Sequence, residues 1–235
     1  MSISVDEFKR PQINITKNLK LQNYYTLALE NEFKDFAFSE ERAPLNKGLW
    51  RTNIFKCPTE APVDLEIGTG NGVHFQHHCL TYPDRKLVGI ELKYKPLIQT
   101  IRGTLKKGGT NGRICRFHAF NLDQVFDENE LNDIYIHFPD PWVTPRKPKN
   151  RIMQPRMLDL FWNLQRSGSK IDFKTDSREA FLWSLENIKN SKYKVEFETL
   201  NLHQTDMAKE NVITQFERIF MRQGIEINFI RLRKP

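Results

Sequence analysis

From Val63 onward, short apolar runs typical of buried strands alternate with longer stretches whose apolar residues recur at helical spacing. Turn residues such as Gly108 and Gly109 mark several boundaries between the two patterns. The runs that predict strands span residues 63–67, 86–91, 113–117, 133–138, 170–175, 193–200 and 225–232. Strands that are linked through helices favour an α/β fold. We therefore predict a mostly parallel, doubly wound sheet of seven strands with helices on both faces.

The first part of the chain has a different pattern, because it shows no strand alternation. Between Asn23 and Phe38 the apolar residues recur at roughly helical spacing, which predicts one helix in this segment. We therefore divide the chain into an N-terminal arm, residues 1–45, and one α/β domain, residues 46–235.

Composition narrows the class of protein. The net charge is +7, so the surface attracts polyanions, of which nucleic acid is the commonest inside cells. The sequence has no apolar stretch of about 18 residues that would predict a membrane span. Its three cysteines form no CxxC pair, so we expect reduced thiols and neither a disulfide framework nor a zinc knuckle. These features predict a cytoplasmic protein without a membrane partner.

A glycine-rich loop follows the first predicted strand and precedes a predicted helix. Gly68, Gly70 and Gly72 allow the backbone to turn sharply and to approach a ligand closely. Glu91 ends the next strand, where a carboxylate is able to accept hydrogen bonds from ribose hydroxyls. The loop and the acid together predict a nucleoside-type cofactor.

The spacing of the glycines distinguishes between cofactors. Dinucleotide-binding proteins have GxGxxG spacing, and a pyrophosphate binds at the start of the helix that follows. Here the spacing is GxGxG, and Glu66 comes just before the first glycine. A carboxylate at this position disfavours a pyrophosphate and suits the cationic amino-acid end of S-adenosylmethionine. We therefore expect S-adenosylmethionine rather than a nicotinamide nucleotide.

A second candidate site follows the fourth predicted strand, in the sequence FPDPW at residues 138–142. Open α/β sheets bind ligands at this edge, and two prolines hold Asp140 and Trp142 there. The basic residues that follow are Arg146, Lys147, Lys149, Arg151 and Arg156. A cationic loop beside a carboxylate and an aromatic ring is suited to hold a phosphate backbone while one base is read. The alternative is a solvated basic loop in which Trp142 fills the core.

Two later segments have ordinary structural explanations. Asp176, at the end of the fifth predicted strand, is placed to cap the next helix. Thr214 and Glu217 have the spacing of a capping box. Taken alone, neither segment requires a function.

Three histidines lie on the predicted helix after the glycine loop. His74 and His78 share a face of this helix, and His77 lies between them. The sequence offers no carboxylate or cysteine to complete a set of ligands with them. We therefore expect surface histidines and no metal site.

These segments together resemble the bacterial tRNA (guanine-N7)-methyltransferase family of class I S-adenosylmethionine-dependent methyltransferases. The matching segments are LEIGTGNG at 65–72, GIEL at 89–92, HFPDPW at 137–142, TDSREAF at 175–181 and TQFER at 214–218. They occur in the family's order, and FPDPW with the late TxFE pair is the most specific part. The resemblance implies a Rossmann-like fold and methyl transfer from S-adenosylmethionine to N7 of a guanine in tRNA, in the variable loop.

The resemblance also implies roles for individual residues, with Asp140 as the catalytic residue. The residues that it implies at the cofactor are Glu66, Gly68, Gly70, Gly72, Glu91, His118, Ala119 and Asn121. The residues that it implies at the substrate are Asp140, Thr144, Arg146, Asp176, Thr214 and Glu217.

Two positions depart from the family's pattern. After the third strand the family usually has Asp-Ala or Asn-Ala beside the adenine ring, whereas this chain has His118 before the alanine, with Asn121 nearby as a substitute. Two residues after the tryptophan the family often has lysine, whereas this chain has Thr144. Arg146 or Lys147 then has to supply the positive charge.

Other functions remain open at this point. One is a methyltransferase that acts on another RNA base or on a small molecule, although the basic loop argues against a small substrate. A second is a nicotinamide oxidoreductase, against which Glu66 and the GxGxG spacing argue. A third is a non-catalytic RNA-binding homologue, against which Glu66, Glu91 and Asp140 argue. We expect tRNA as the partner, no metal, and a monomer or a small homo-oligomer.

Overall fold

A computed structural model describes residues 10–142 and 148–235 of the chain. The strands are β1 (Ala37–Phe38), β2 (Val63–Ile67), β3 (Lys86–Ile90), β4 (Gly112–Cys115), β5 (Ile134–His137), β6 (Lys170–Thr175), β7 (Lys194–Thr199) and β8 (Asn228–Arg233). The α-helices are α1 (Tyr24–Glu30), α2 (Val73–Thr81), α3 (Tyr94–Lys106), α4 (Pro155–Leu164), α5 (Arg178–Lys189) and α6 (Gln215–Arg222). Each of the seven predicted strands overlaps one of these strands.

In the described residues the strands form one eight-stranded sheet in the order β1-β4-β3-β2-β5-β6-β8-β7. Strands β1 to β6 pair in parallel, and β8 runs antiparallel to both of its neighbours. The predicted α/β fold with a mostly parallel, doubly wound sheet is confirmed. The additional strand is β1, whose two residues are too few to show an alternation in the sequence.

Helices cover both faces of the sheet, as the sequence predicts. On one face α4 and α5 contribute Phe161 and Phe181 to a core that includes Leu65 and Ile136 of the central strands. On the other face α1, α2 and α3 pack over β1, β3 and β4, with Phe75 of α2 in the centre of that core. No helix in the described part of the chain is long and apolar enough to cross a membrane.

The N-terminal arm is built into this architecture. The predicted helix is α1, whose N-terminus is capped by the side chain of Asn23 in a capping box with Thr26. It contacts α3, and β1 follows it to pair with β4 at the end of the sheet. Where the structure describes it, the arm therefore extends the sheet rather than standing apart from it.

A buried carboxylate in the central strand β2 joins several elements. Asp64 is fully buried, accepts a hydrogen bond from Arg85 Nε at 2.6 Å, and lies 2.9 Å from His78 Nε2. The backbone N–H of Asp133 donates to the same carboxylate at 3.0 Å. Burial by itself raises the pKa of Asp64, but the hydrogen bonds from His78 and Arg85 outweigh it, so the pKa is lowered.

We predict that Asp64→Asn lowers the free energy of unfolding at pH 7 by about 3 kcal/mol, because Arg85 loses the charge that compensates it. Since folding lowers the pKa of Asp64, the lost contribution is present above the unfolded value of about 3.9 and disappears as the pH falls through the folded value. Urea unfolding of both proteins at several pH values measures the difference.

The control is Asp206→Asn, which changes a carboxylate that is 93% exposed. That variant should unfold like the unmodified protein at every pH. An Asp64 variant that matches it, or whose deficit grows as the pH falls, would contradict the prediction.

Candidate active site

The topology gathers most of the predicted site residues at one edge of the sheet. Strands β2 to β6 run in the same direction, so the loops that follow them lie side by side. These loops carry the glycine-rich segment 68–72, together with Glu91, His118, Asp140 and Asp176. The carboxyl edge of the parallel strands is where open α/β sheets bind ligands.

The glycine loop has a backbone that other residues rarely adopt. Gly68, Gly70 and Gly72 all have positive φ angles, of 76°, 54° and 78°. A Cβ atom on Gly68 or Gly70 would meet nothing within 4 Å, so these two positions face open space. A Cβ atom on Gly72 would lie 2.6 Å from Thr100 Oγ1, so the packing of α3 excludes a side chain there.

Glu91 contacts the glycine loop directly. Its Oε2 accepts a hydrogen bond from the backbone N–H of Gly70 at 3.1 Å, and its Oε1 accepts one from Lys93 N at 2.9 Å. The side chain is half-buried, so its carboxylate is in contact both with the loop and with solvent. Sequence analysis placed Glu91 beside the loop, and the structure joins the two.

Glu66 lies beneath the glycine loop rather than at the open edge. Its side chain is 3% exposed, and its Oε2 lies 2.9 Å from Nδ1 of His74 on α2. Asp64, two residues earlier on the same face of β2, makes the corresponding contact with His78. The two carboxylates on this face of β2 therefore contact two histidines that lie one helical turn apart on α2.

The prediction of surface histidines is wrong for His74 and His78. They are 8% and 1% exposed, and only His77 of the three lies on the surface. The physical reason is the pair of buried carboxylates on β2, which supplies the partners that the local sequence of the helix lacks.

His118 and its neighbours follow β4 at the same edge. His118 Nδ1 accepts a hydrogen bond from the backbone N–H of Phe120 at 3.1 Å, and Ala119 begins a short 3₁₀ helix. Burial lowers the pKa of His118, which favours a neutral ring. The buried side-chain amide of Asn121 donates to the carbonyl of Pro11 at 2.9 Å. Asn121 therefore holds the N-terminal arm.

The arm passes along the ends of β3 and β4, which sequence analysis did not predict. Arg116 Nη1 donates to the carbonyl of Asn14 at 2.7 Å and to Glu40 Oε2 at 2.8 Å. The hydroxyl of Thr16 lies 2.9 Å from that of Tyr94. These contacts place the arm beside the half of the edge that carries Glu91 and His118.

The loop after β5 exposes one carboxylate between two strained residues. Phe138 and Trp142 have φ angles of 51° and 43°, which are unusual for residues other than glycine and common at functional sites. Asp140 lies between them, is exposed, and makes no hydrogen bond with the described residues. Thr144, Arg146 and Lys147, which sequence analysis assigned to substrate, lie outside the described residues.

Arg151 has a structural role in this loop. It is 6% exposed, and its Nη2 donates to the carbonyl of Trp142 at 3.2 Å and to Glu179 at 2.6 Å. The guanidinium also lies 5.0 Å from the ring centre of Trp183. Arg151 therefore uses its charge to hold that loop in place, and the contact of the basic loop with phosphates stays a prediction.

Asp176 does not cap α5. The cap is Ser177, whose Oγ accepts a hydrogen bond from Ala180 N at 3.2 Å. The half-buried carboxylate of Asp176 has no hydrogen-bond partner within residues 10–142 and 148–235. The structural explanation offered from the sequence is therefore wrong, and Asp176 stays available at the edge.

Thr214 and Glu217 form the predicted capping box at the start of α6, with Thr214 Oγ1 accepting from Glu217 N at 3.2 Å. Glu217 is fully buried, and its carboxylate accepts from Lys174 Nζ at 2.7 Å and from Asn211 Nδ2 at 2.6 Å. His203 Nε2 lies 3.0 Å from the same carboxylate. Burial lowers the pKa of Lys174, and Glu217 partly offsets that effect.

The sequence patterns did not point us to Lys174 or to the partners of Glu217. A signal was present, because Asp172 and Lys174 alternate with apolar residues along β6 and so share one face of a central strand. Charged residues at such positions need partners from elsewhere in the chain.

Helix α6 joins the two halves of the site. The side chain of Gln215 is hydrogen-bonded to that of Asn71 in the glycine loop. The ring of Phe220 lies 5.6 Å from that of Phe138, at the start of the loop that carries Asp140. One helix thus contacts both the glycine loop and the FPDPW segment.

Known proteins are similar in sequence to this chain over most of its length. The profile of a family described as a putative methyltransferase matches residues 60–230. A tRNA (guanine-N7)-methyltransferase from Bdellovibrio bacteriovorus is 54% identical, over 88% of this chain and 100% of that protein. This chain belongs to the tRNA (guanine-N7)-methyltransferase family. A member from Clostridium novyi is 31% identical, over 78% of this chain and 85% of its own length.

The fold of this chain is also similar to solved structures of other methyltransferases. The 16S rRNA methyltransferase KamB aligns with a TM-score of 0.55 and 14% identity, over 75% of this chain and 90% of that one. An rRNA methylase from Streptococcus thermophilus aligns with a TM-score of 0.51 and 12% identity, over 74% and 87%. These likenesses establish the Rossmann-like fold alone. The resemblance drawn from the motifs is confirmed at the level of the family.

For this member of the tRNA (guanine-N7)-methyltransferase family, we predict that Glu217→Gln costs about 3 kcal/mol of stability, because it leaves Lys174 buried without a compensating charge. Urea unfolding gives the difference. The control is Glu186→Gln, at a carboxylate that is 71% exposed, which should leave stability unchanged. A Glu217 variant that keeps its stability but loses selectivity for guanine would instead place this carboxylate at the base.

Proposed function

We propose that this chain transfers a methyl group from S-adenosylmethionine to N7 of a guanine in tRNA, in the variable loop. Membership of the tRNA (guanine-N7)-methyltransferase family supports the reaction and the substrate. The observation that carries the proposal is the single sheet edge on which α6 joins the glycine loop to the segment with Asp140. We further propose that the chain acts in the cytoplasm as a monomer.

The residues at the glycine loop suit S-adenosylmethionine. Open space above Gly68 and Gly70 leaves room for the methionine part against the backbone. Glu91 is then placed to accept hydrogen bonds from the ribose hydroxyls, since a carboxylate has lone pairs beyond the two that Gly70 and Lys93 use. Glu66 is buried against His74 beneath the amino-acid end, so we assign it to supporting the glycine loop rather than to an open contact with the cofactor.

We propose that the adenine ring of S-adenosylmethionine binds at the loop after β4. His118 and Ala119 lie at that edge and are half-buried, and the neutral His118 ring adds no charge beside a neutral base. The amide of Asn121 is bonded to Pro11, so we assign Asn121 to the wall that the arm builds there.

The acceptor atom determines what the protein has to supply. Guanine N7 has an in-plane lone pair and carries no proton, so its attack needs no general base. When bound, S-adenosylmethionine supplies its methyl carbon to this lone pair, and the electrons of the C–S bond return to sulfur. The task of the protein is then chiefly to align the base with the methyl group.

Two carboxylates at the edge are free to act on the guanine. Asp140 is exposed and stabilises the positive charge that develops on the ring, without accepting a proton. Asp176 accepts hydrogen bonds from the N1–H and the N2 amino group of guanine, two donors that adenine does not have. Thr214 and Glu217 are positioning residues, because they cap α6 and hold it on Lys174.

The phosphate backbone requires cations around this edge. Lys149 beside the FPDPW segment, and Arg218 and Arg222 on α6, are exposed. We propose that these residues contact phosphates together with Arg146, and that Thr144 lies near the base. Such contacts orient the RNA but carry no sequence information.

Incubation with unmodified tRNA and methyl-labelled S-adenosylmethionine, followed by nucleoside analysis, tests the function. We expect 7-methylguanosine, and chain cleavage after borohydride treatment should map it to the variable loop. Label in another nucleoside would support a methyltransferase for a different base. Cofactor binding without any transfer would support a non-catalytic homologue.

We predict that Glu91→Gln weakens the binding of S-adenosylhomocysteine by about 1–3 kcal/mol, since the neutral side chain is a poorer acceptor for ribose hydroxyls. Isothermal titration measures the affinity. Glu60→Gln, at an exposed residue away from the loop, is the matched control and should bind normally. Equal affinity in both variants would remove Glu91 from the pocket.

We predict that Asp140→Asn lowers the methylation rate roughly a hundredfold, because the side chain keeps its shape and loses the charge that stabilises the cationic guanine. The affinity for tRNA should stay largely intact, since other residues hold the phosphates. Single-turnover kinetics and a binding titration separate the two, with Asp206→Asn as the control. Methylation at the unmodified rate would show that Asp140 only shapes its loop.

A further inference from the structure

Three side chains beneath the active site converge on one point. Leu65, Glu66 and Ile67 of β2 lie in register with Ile134, Tyr135 and Ile136 of β5, so Glu66 is opposite Tyr135. Side chains of a strand alternate between its faces, and His137 therefore lies on the same face as Glu66. The first turn of α2 adds His74 to that face.

The donor atoms of these residues are close enough to share an ion. Glu66, His74 and His137 each offer one nitrogen or oxygen ligand, and these three atoms lie within 4.8 Å of one another. Oε2 of Glu66 is 2.9 Å from Nδ1 of His74, and the two imidazole rings are 4.5 Å apart at nearly a right angle. Among the residues that the structure describes, no other such group of ligands occurs.

A second observation concerns His137 itself. Its Nδ1 is buried and has no hydrogen-bond partner in the described part of the chain. A buried polar atom without a partner is costly and calls for an explanation, of which an ion is one. The ring lies beside His74, so the residue with the unsatisfied nitrogen belongs to the same cluster.

A cavity of about 220 Å³ adjoins the cluster and gives it access to water. His74 and His137 line it together with Lys170, Asp172 and Lys174 of β6 and Arg231 of β8, and Asp172 pairs with both Lys170 and Arg231. Sites with three protein ligands bind their metal with water in the remaining position, and this cavity has room for that water.

We propose that Glu66, His74 and His137 bind one transition-metal ion of the zinc class, with water from the cavity completing its coordination. Two imidazoles and one carboxylate suit Zn²⁺ or Co²⁺, whereas Mg²⁺ and Ca²⁺ prefer sets made of oxygen. This site goes beyond the methyltransferase reaction and departs from the absence of metal that the sequence led us to expect.

The buried charge of Lys174 does not prevent an ion from binding here. Lys174 pairs with His137 in register on β6, but its Nζ is 2.7 Å from Glu217 and its charge is compensated there. The carboxylate of Glu66 supplies the negative charge that the ion itself requires.

The ion has a structural consequence for the active site. Glu66 lies on the strand that leads into the glycine loop, and His74 lies on the helix that leaves it. His137 is the last residue of β5, three residues before Asp140. One ion at this point therefore links the cofactor loop to the strand that carries the catalytic carboxylate.

Titration of the full chain with Co²⁺, after removal of metal by a chelator, tests the proposal. We expect one ion per chain, with the visible d–d absorption of a four-coordinate site. His74→Asn and His137→Asn should each weaken binding at least tenfold. His77→Asn removes an exposed imidazole from the same helix and should bind like the unmodified protein.

X-ray absorption at the zinc edge of the unmodified protein keeps the test independent of how the variants fold. We expect two imidazole ligands together with oxygen ligands. No stoichiometric binding, a spectrum with fewer than two imidazoles, or equal loss of binding in the His77 variant would overturn the proposal. The cluster would then be a hydrogen-bonded network only.

Discussion

Charged side chains buried on one face of the central strands are the constraint on which the rest of the structure depends. Asp64 and Glu66 on β2, and Asp172 and Lys174 on β6, are each at most 6% exposed. A buried charge is tolerated only when it is paired and hydrogen-bonded. Each of the four therefore has a partner on a different element of the fold.

These pairs determine where the neighbouring elements lie. Asp64 accepts a hydrogen bond from Arg85, which directly precedes β3. Asp172 accepts one from Nε of Arg231 on β8 at 2.7 Å. Lys174 holds α6 through Glu217, and α6 in turn contacts both functional loops. The floor of the active site is thus a set of compensated charges. The carboxylates of Asp140 and Asp176 above it have no partner in the described residues, which suits them to bind a ligand.

The sequence predicted the fold, and it predicted that most candidate residues lie at one edge of the sheet, because both depend on local patterns. Short apolar runs mark seven strands, and the carboxyl ends of the parallel strands share one edge of the sheet. It did not predict the burial of His74 or the loop-holding role of Arg151. Their partners are Glu66 on a strand and the carbonyl of Trp142, and only the folded chain brings them together. Charged residues that alternate with apolar residues along β2 and β6 were the local signs of this buried layer.

A crystal structure with bound S-adenosylhomocysteine would test the central claim, that this edge is where methyl transfer takes place. We expect the ribose hydroxyls at Glu91, the amino-acid part along Gly68 and Gly70, and the sulfur facing the loop with Asp140. The buried pairs beneath should keep their partners, because the ligand binds above them. A molecule that binds in the polar cavity over β5 and β6 instead, or that breaks the contact between Lys174 and Glu217, would contradict this account.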